Sequence, residues 1–322
     1  MKSPRTQSQS ARAVTEGALL AALTIVLYVA DFYTKLLVYV IPVPIAILVV
    51  RRDLRTGAMA AVVAALGVGL ILGPIDGLIV LASVGFVGLS LGFCLSKRIS
   101  WITTIAFTSI AALGMIVMDF LLGAVAARLS PAASLAQMQK LMLEAGAQAQ
   151  AIYKKMGVAE ETLKAGTQLF DMLPKLFETF LPVVAIMIAV TAAGIAYAVT
   201  RFVLKRTNHY VDPIPPFQEW RIEWQWAWGL IAGILLGNAG AIWKMPIVAT
   251  VGQNIMVAFW MLYGVQGVAV LWWSLAKYNV AKGLRVLIAL MIYTSPALNP
   301  LLPLAGVLDG WFDFRKMAAK RG

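Results

Sequence analysis

Asp119 is the residue whose position most demands chemistry. It stands inside the long apolar run from Trp101 to Ala127, about nine residues before Arg128. An ionisable group at membrane depth is costly, and such groups usually face a cavity or a partner. Two readings follow: Asp119 holds a ligand or takes part in proton-linked transport, or it is a structural carboxyl held by hydrogen bonds. Four amides share the situation: Asn238, Gln253, Asn254 and Gln266 lie within later apolar runs. They could converge with Asp119 on one polar site, or bond helix to helix.

Other chemistries lack their residues. The chain has one Cys, Cys94, and one His, His209. Neither a cysteine cluster nor a His/Cys/carboxylate metal set can be assembled, so no metal is expected. There is no glycine-rich loop followed by Lys-Ser/Thr, so the chain has no P-loop of its own. Gly67, Gly69 and Gly73 sit in an apolar run with no preceding strand and do not form a dinucleotide fingerprint. No serine occupies a nucleophile elbow. The chain is therefore expected not to be an enzyme and to carry no cofactor.

The elements that must position these residues are helices in lipid. The 322 residues are 61% hydrophobic with a mean hydropathy of +0.82. Only 13% are charged, about half the share in soluble domains. Continuous apolar runs of ~17 to 25 residues recur, each long enough to cross a bilayer as a helix. They lack the alternation of barrel strands. The fold class is all-α, a polytopic helical membrane protein. After a polar tail, 1–13, spans are expected at 14–30, 36–50, 56–72, 78–96, 101–127 and 181–200. Span 36–50 contains Pro42 and Pro44 and should kink. Asp76 reads as the N-cap of the span beginning at 78. A C-terminal block, 226–308, adds spans at 226–243 and 246–276. Its last segment, 286–308, is broken by Pro296, Pro300 and Pro303, and either crosses once or re-enters as a hairpin. A basic tail, 309–322, ends the chain.

With the N-terminus in the cytoplasm and this segment re-entrant, 19 of the 27 Lys and Arg fall on the cytoplasmic side. That distribution follows the positive-inside rule and is what anionic lipid attracts. It accounts for the net charge of +12 without nucleic acid. The expected site is the bacterial inner membrane.

Two polar intervals interrupt the apolar pattern. In 128–178, Leu135, Met138, Met142, Ala145, Ala149, Ile152 and Met156 alternate steps of three and four, which predicts an amphipathic helix. Gly157 interrupts it, and a second helix is expected from about Ala159 until Pro174 ends it. The pair is an extracytoplasmic helical hairpin, either resting on the membrane or serving as a lid. The second interval, 201–225, is a cytoplasmic hinge. Trp220, Trp224, Trp226 and Trp228 precede the next span and Trp243 follows it, an aromatic belt.

Small residues recur every four positions: Ala13, Gly17 and Ala21, with Ala18 and Ala22 beside them; Gly88 and Gly92; Gly229, Gly233, Gly237 and Ala241. Such faces let helices approach closely in lipid. They serve internal packing or docking of another membrane protein.

Three stretches carry a resemblance. The start, Thr15 to Leu23 (TEGALLAAL), the hinge residues Pro215, Pro216, Phe217, Glu219, Trp220 and Arg221, and the ending Gly306, Asp309, Phe312, Asp313, Phe314 and Arg315 resemble the YybS-like family of bacterial polytopic membrane proteins. The first six spans also resemble the substrate-binding S component of energy-coupling-factor (ECF) transporters. That resemblance implies a six-helix block, 14–200, binding a small molecule from outside. It also implies docking through Gly17, Ala18, Ala21 and Ala22 on a transmembrane coupling protein driven by ATPases. Asp119 would line the site. The expected function is thus a substrate-binding subunit of an importer energised by a separate partner. The alternative is a non-transporting membrane scaffold or assembly factor.

Overall fold

The computed structural model describes residues 4–35, 37–157, 160–209 and 211–315, and the side chains of most of these. The described residues form helices and turns, and seven helices are long and apolar enough to cross a membrane. The chain is an all-α polytopic membrane protein. It divides into two compact units. The first comprises residues 1–177 and 184–213, the second 178–183 and 214–322.

The first unit contains α1 (Pro4–Thr34), α2 (Val43–Arg51), α3 (Leu54–Leu72), α4 (Pro74–Ala82), α5 (Leu89–Ser96), α6 (Trp101–Ala126), α7 (Pro131–Lys155) and most of α8 (Glu160–Arg206). One turn of π-helix, Ser83–Gly88, joins α4 to α5 into a single crossing. Small residues set the packing. Gly77 lies against Gly69 and the Ala65 carbonyl, and Gly92 against Val49 and the Ala46 carbonyl, each too close to admit a Cβ. In lipid such close approach supplies the dispersion contacts that hold helices together. Outward-facing Leu19, Leu66, Ile110 and Val184 are exposed, as lipid contact requires.

The segment expected at 36–50 as one span is not a continuous membrane-length helix. Residues 38–42 are turns, and α2 is nine residues long. At ~1.5 Å per residue it covers less than half of a ~30 Å hydrocarbon layer. All of Val43–Val49 is buried, so its apolar character reflects burial by protein on every side. Pro42 and Pro44 start this helix and do not kink it. Hydropathy alone does not separate the two environments.

The helix starts and stops are readable. Asp53 accepts the Thr56 N–H at 2.7 Å and caps α3; that bond holds its carboxyl below the usual carboxylate range. Ser100 and Ser130 cap α6 and α7. Gly157, at φ +76°, follows the turn that ends α7. The amphipathic helix expected before Gly157 is present, but its seam is only partly covered: Gly146 packs on Phe170 while Met138, Ile152 and Met156 stay exposed. The second hairpin helix, expected to end at Pro174, runs on without a break into the next span as the 47-residue α8. Proline is tolerated in such helices when neighbours re-satisfy the freed backbone groups.

The second unit contains α9 (Ala227–Ile242), α10 (Pro246–Lys277), α11 (Lys282–Thr294) and α12 (Leu301–Phe312). The glycine period of α9 packs on α10: Gly233 meets the Met256 backbone, Gly240 that of Ala249, and Gly252 of α10 fits against Gly237. Trp224, Trp226 and Trp228 at one end of α9 and Trp243 at the other are exposed, as an aromatic belt requires. Further along α10, Gly267 and Tyr263 take the backbone of α12 at Leu302 and Gly306. Neither α11 nor α12 is long enough to cross. Phe217 stacks edge-on against Trp272 near the end of α10, and Arg315 returns to the carbonyls of Gln218 and Trp220. The chain thus leaves and rejoins the same end of this unit, the arrangement that the re-entrant hairpin alternative requires.

Two outcomes test this architecture. In a Cys94→Ala background, cysteines at the exposed Glu219 and Phe314 should react with a membrane-impermeant maleimide from the same face; labelling from opposite faces would refute the hairpin. Gly252→Leu should lower the melting temperature markedly, by overpacking of ~1–3 kcal/mol or more. Gly194→Ala, where a Cβ meets nothing within 4 Å, should leave it unchanged.

Candidate ligand-binding site

Asp119 projects from α6 into a cavity of about 400 Å³ within the first unit. The last turns of α1 contribute Tyr28, Asp31 and Phe32, and the turns that follow contribute Lys35, Val38 and Ile41. Asp76 and Ile79 enter from α4, Ser83 from the first residue of the π turn, and Met115 from α6. π turns inside α-helices occur often at functional sites, because the wider turn shifts side chains off the helical register.

The polar groups of this cavity are incompletely paired. The Tyr28 hydroxyl donates to Asp76 Oδ1 at 3.0 Å. Asp76 therefore does not cap α4, which begins earlier at Pro74 after Gly73. Asp31 is more than nine-tenths buried, and its Oδ1 accepts the Leu37 N–H at 2.6 Å. Asp119 Oδ1 is buried with no hydrogen-bond partner. Ser83 is more than nine-tenths buried, and its hydroxyl makes no hydrogen bond among the described residues. No ion pair joins Asp31, Asp76 or Asp119 to a cation among the described residues; Lys35 instead lies over the Phe32 ring at 5.0 Å. Buried polar groups normally find partners; two of those lining this cavity, Asp119 Oδ1 and the Ser83 hydroxyl, have none among the described residues. A second concavity, of about 480 Å³, runs along one side of α7 at Gln137, Lys140 and Glu144. It has no comparable convergence of polar groups from different helices.

The four amides belong to the second unit, and the structure gives three of them their own partners. Asn254 bridges the ladder of α8: it accepts the Val183 N–H at 3.0 Å and donates to the Thr179 carbonyl at 2.7 Å. Its other proton goes to Thr250 of its own helix. Pro182 explains the need, since proline lacks an N–H and crowds the preceding turn. Gln266 is buried, accepts the Ile222 N–H at 2.9 Å and donates to Asp309 at 3.1 Å. Asn238 is exposed and donates to Ile234 of its own helix. Gln253 contacts Gly237. These are helix-to-helix and intrahelical bonds, and the amides do not gather into one pocket.

Sequence reasoning missed the strongest polar contact. Arg315 and Asp309 form an ion pair at 2.7 Å with both side chains fully buried, and Arg221 pairs with Asp313 at 3.2 Å. Arg221 also donates to the Gly310 carbonyl. These residues had been read as two separate motifs, the hinge and the ending. The structure joins them around Gln266. His209, without a partner by sequence, bonds to Thr207. Of the small residues on α1, Gly17 and Ala21 are buried against the unit, whereas Ala18 and Ala22 are exposed.

A family model, described as a predicted membrane protein (DUF2232), matches residues 18–310. The chain belongs to this family. No curated protein and no solved structure matches it. The DUF2232 match takes in every lining residue of the cavity as well as Gln266 and Asp309.

The two carboxylate environments should respond oppositely. Asp309→Asn leaves Arg315 buried without its counter-charge and should cost ~3–5 kcal/mol, seen as a large fall in melting temperature. Asp119→Asn removes a charge that has no counter-ion among the described residues and should leave the melting temperature equal or higher.

Proposed function

We propose that this protein is a non-enzymatic, substrate-binding subunit of a small-molecule importer, energised by a separate partner. The observation that carries this reading is the cavity at Asp119, with its unpaired carboxylate and hydroxyl. It lies in the block whose sequence resembles an ECF S component. A volume near 400 Å³ falls in the range of pockets that enclose small ligands. The chain has no P-loop, so uphill uptake would draw on ATPases acting through a transmembrane coupling protein.

Topology supports the same reading. The cavity sits where α1 and α6 end and α4 begins. The Glu16 carboxylate, held by Arg51 and Arg52 at 2.7 Å each, marks the other end of α1, and Lys97-Arg98 lies before α6. Placing the basic ends in the cytoplasm of a bacterial cell opens the cavity outward, on the side from which an importer collects its substrate. The exposed Ala18 and Ala22 then lie toward the cytoplasmic end of α1, as docking on a coupling protein would require.

A second reading, a membrane scaffold that carries no substrate, draws on the exposed apolar seam of α7. The two readings separate on purification from native membrane. An importer subunit should bring down a transmembrane coupling protein and two ATPases, and denaturing the sample should release a small molecule. A stoichiometric partner with no ATPases and no released small molecule would decide for the scaffold.

A further inference from the structure

We propose that the cavity of the first unit recognises a small organic cation: a protonated amine or quaternary ammonium group on a compact apolar body. This rests on the reading of that unit as a ligand-binding module and gives the module its substrate class.

Charge is the first argument. Asp31, Asp76 and Asp119 surround the space with a single cation, Lys35, among its lining residues. None of the three acids is paired with it or with any other cation among the described residues. Carboxylates withdrawn from water without a counter-charge are expensive, and a positively charged guest supplies that charge. The acids alone would not make a site, but two further observations point to a guest. Ser83, more than nine-tenths buried with a free hydroxyl, lines the cavity from the π turn. Asp119 Oδ1 is likewise buried and unbonded.

Shape and surface give the rest of the class. Phe32 presents a ring that already holds a cation, the Lys35 ammonium at 5.0 Å. A ring face attracts ammonium groups through its quadrupole, so a guest ammonium can take the place of Lys35 there. The remaining wall is apolar, at Ile41, Ile79 and Met115, and suits a hydrocarbon or aromatic body. A bare metal ion fits poorly. No group of three metal-binding side chains converges among the described residues, and hard cations demand several oxygens at once.

The test uses the full-length protein in lipid nanodiscs at neutral pH. Phenethylammonium and benzyltrimethylammonium are titrated against uncharged 2-phenylethanol and anionic 3-phenylpropanoate. Binding is read from tryptophan fluorescence and from the melting temperature. The ammonium compounds should bind saturably and raise the melting temperature, with the neutral and anionic compounds weaker by about tenfold or more. Asp119→Asn and Asp31→Asn should each remove that preference. Val38→Trp, which fills the space without touching a charge, should abolish binding and guards against a variant that fails to fold. Equal binding of the neutral compound, or an ammonium preference that survives both Asp→Asn changes, would overturn the cation assignment while leaving the binding-subunit reading intact. If no compound of any charge binds, both readings fall.

Discussion

Water is absent from the middle of a bilayer, and that single lack governs this molecule. Every buried polar group must find its partner within the protein or remain costly. In the second unit Asp309, Gln266 and Arg315 meet that demand for one another. The Arg315 guanidinium binds Asp309 and two backbone carbonyls of the hinge, while Gln266 spans from Asp309 to the Ile222 N–H. A buried ion pair gains little net stability over apolar packing. What it gains is a fixed address. The short helix α12 has few ways to lie on α10, and this network selects one of them.

The first unit answers the same demand incompletely around Asp119, and the buried hydroxyls of Thr108 and Thr200, like that of Tyr263 in the second unit, also lack partners among the described residues. Most of its polar side chains are spent locally: Thr24 and Ser109 return their hydroxyls to carbonyls of their own helix. Around Asp119 this economy stops, with a carboxylate oxygen and a serine hydroxyl left open beside a cavity.

Much of the fold was legible in the sequence. Spans at 54–72, 101–126, 227–242 and 246–277 follow from run length and flanking charge, and the glycine period of α9 announced its packing face. Asp119 stood out because an acid within an apolar run of 26 helical residues is costly at membrane depth. What stayed hidden shares one cause: contacts between distant positions leave no local pattern. Arg315 meets Gln218 across 97 positions, Tyr28 meets Asp76 across 48, and the short α2 reads as a full-length, lipid-facing helix because burial in protein and burial in lipid select the same residues. Pro174 read as a stop because the aqueous rule was applied to a helix that continues into lipid.

The bridge across α8 ties two distant residues to one another. Asn254 closes a gap in a helix 71 positions away, opened by Pro182. Without the proline, the carboxamide would compete with a backbone bond already able to form. Without the asparagine, two backbone groups would face hydrocarbon alone. The two residues therefore act as a pair, and changing either one alone leaves polar groups without partners. The repair, though written in two distant places, works as a single feature of the helix.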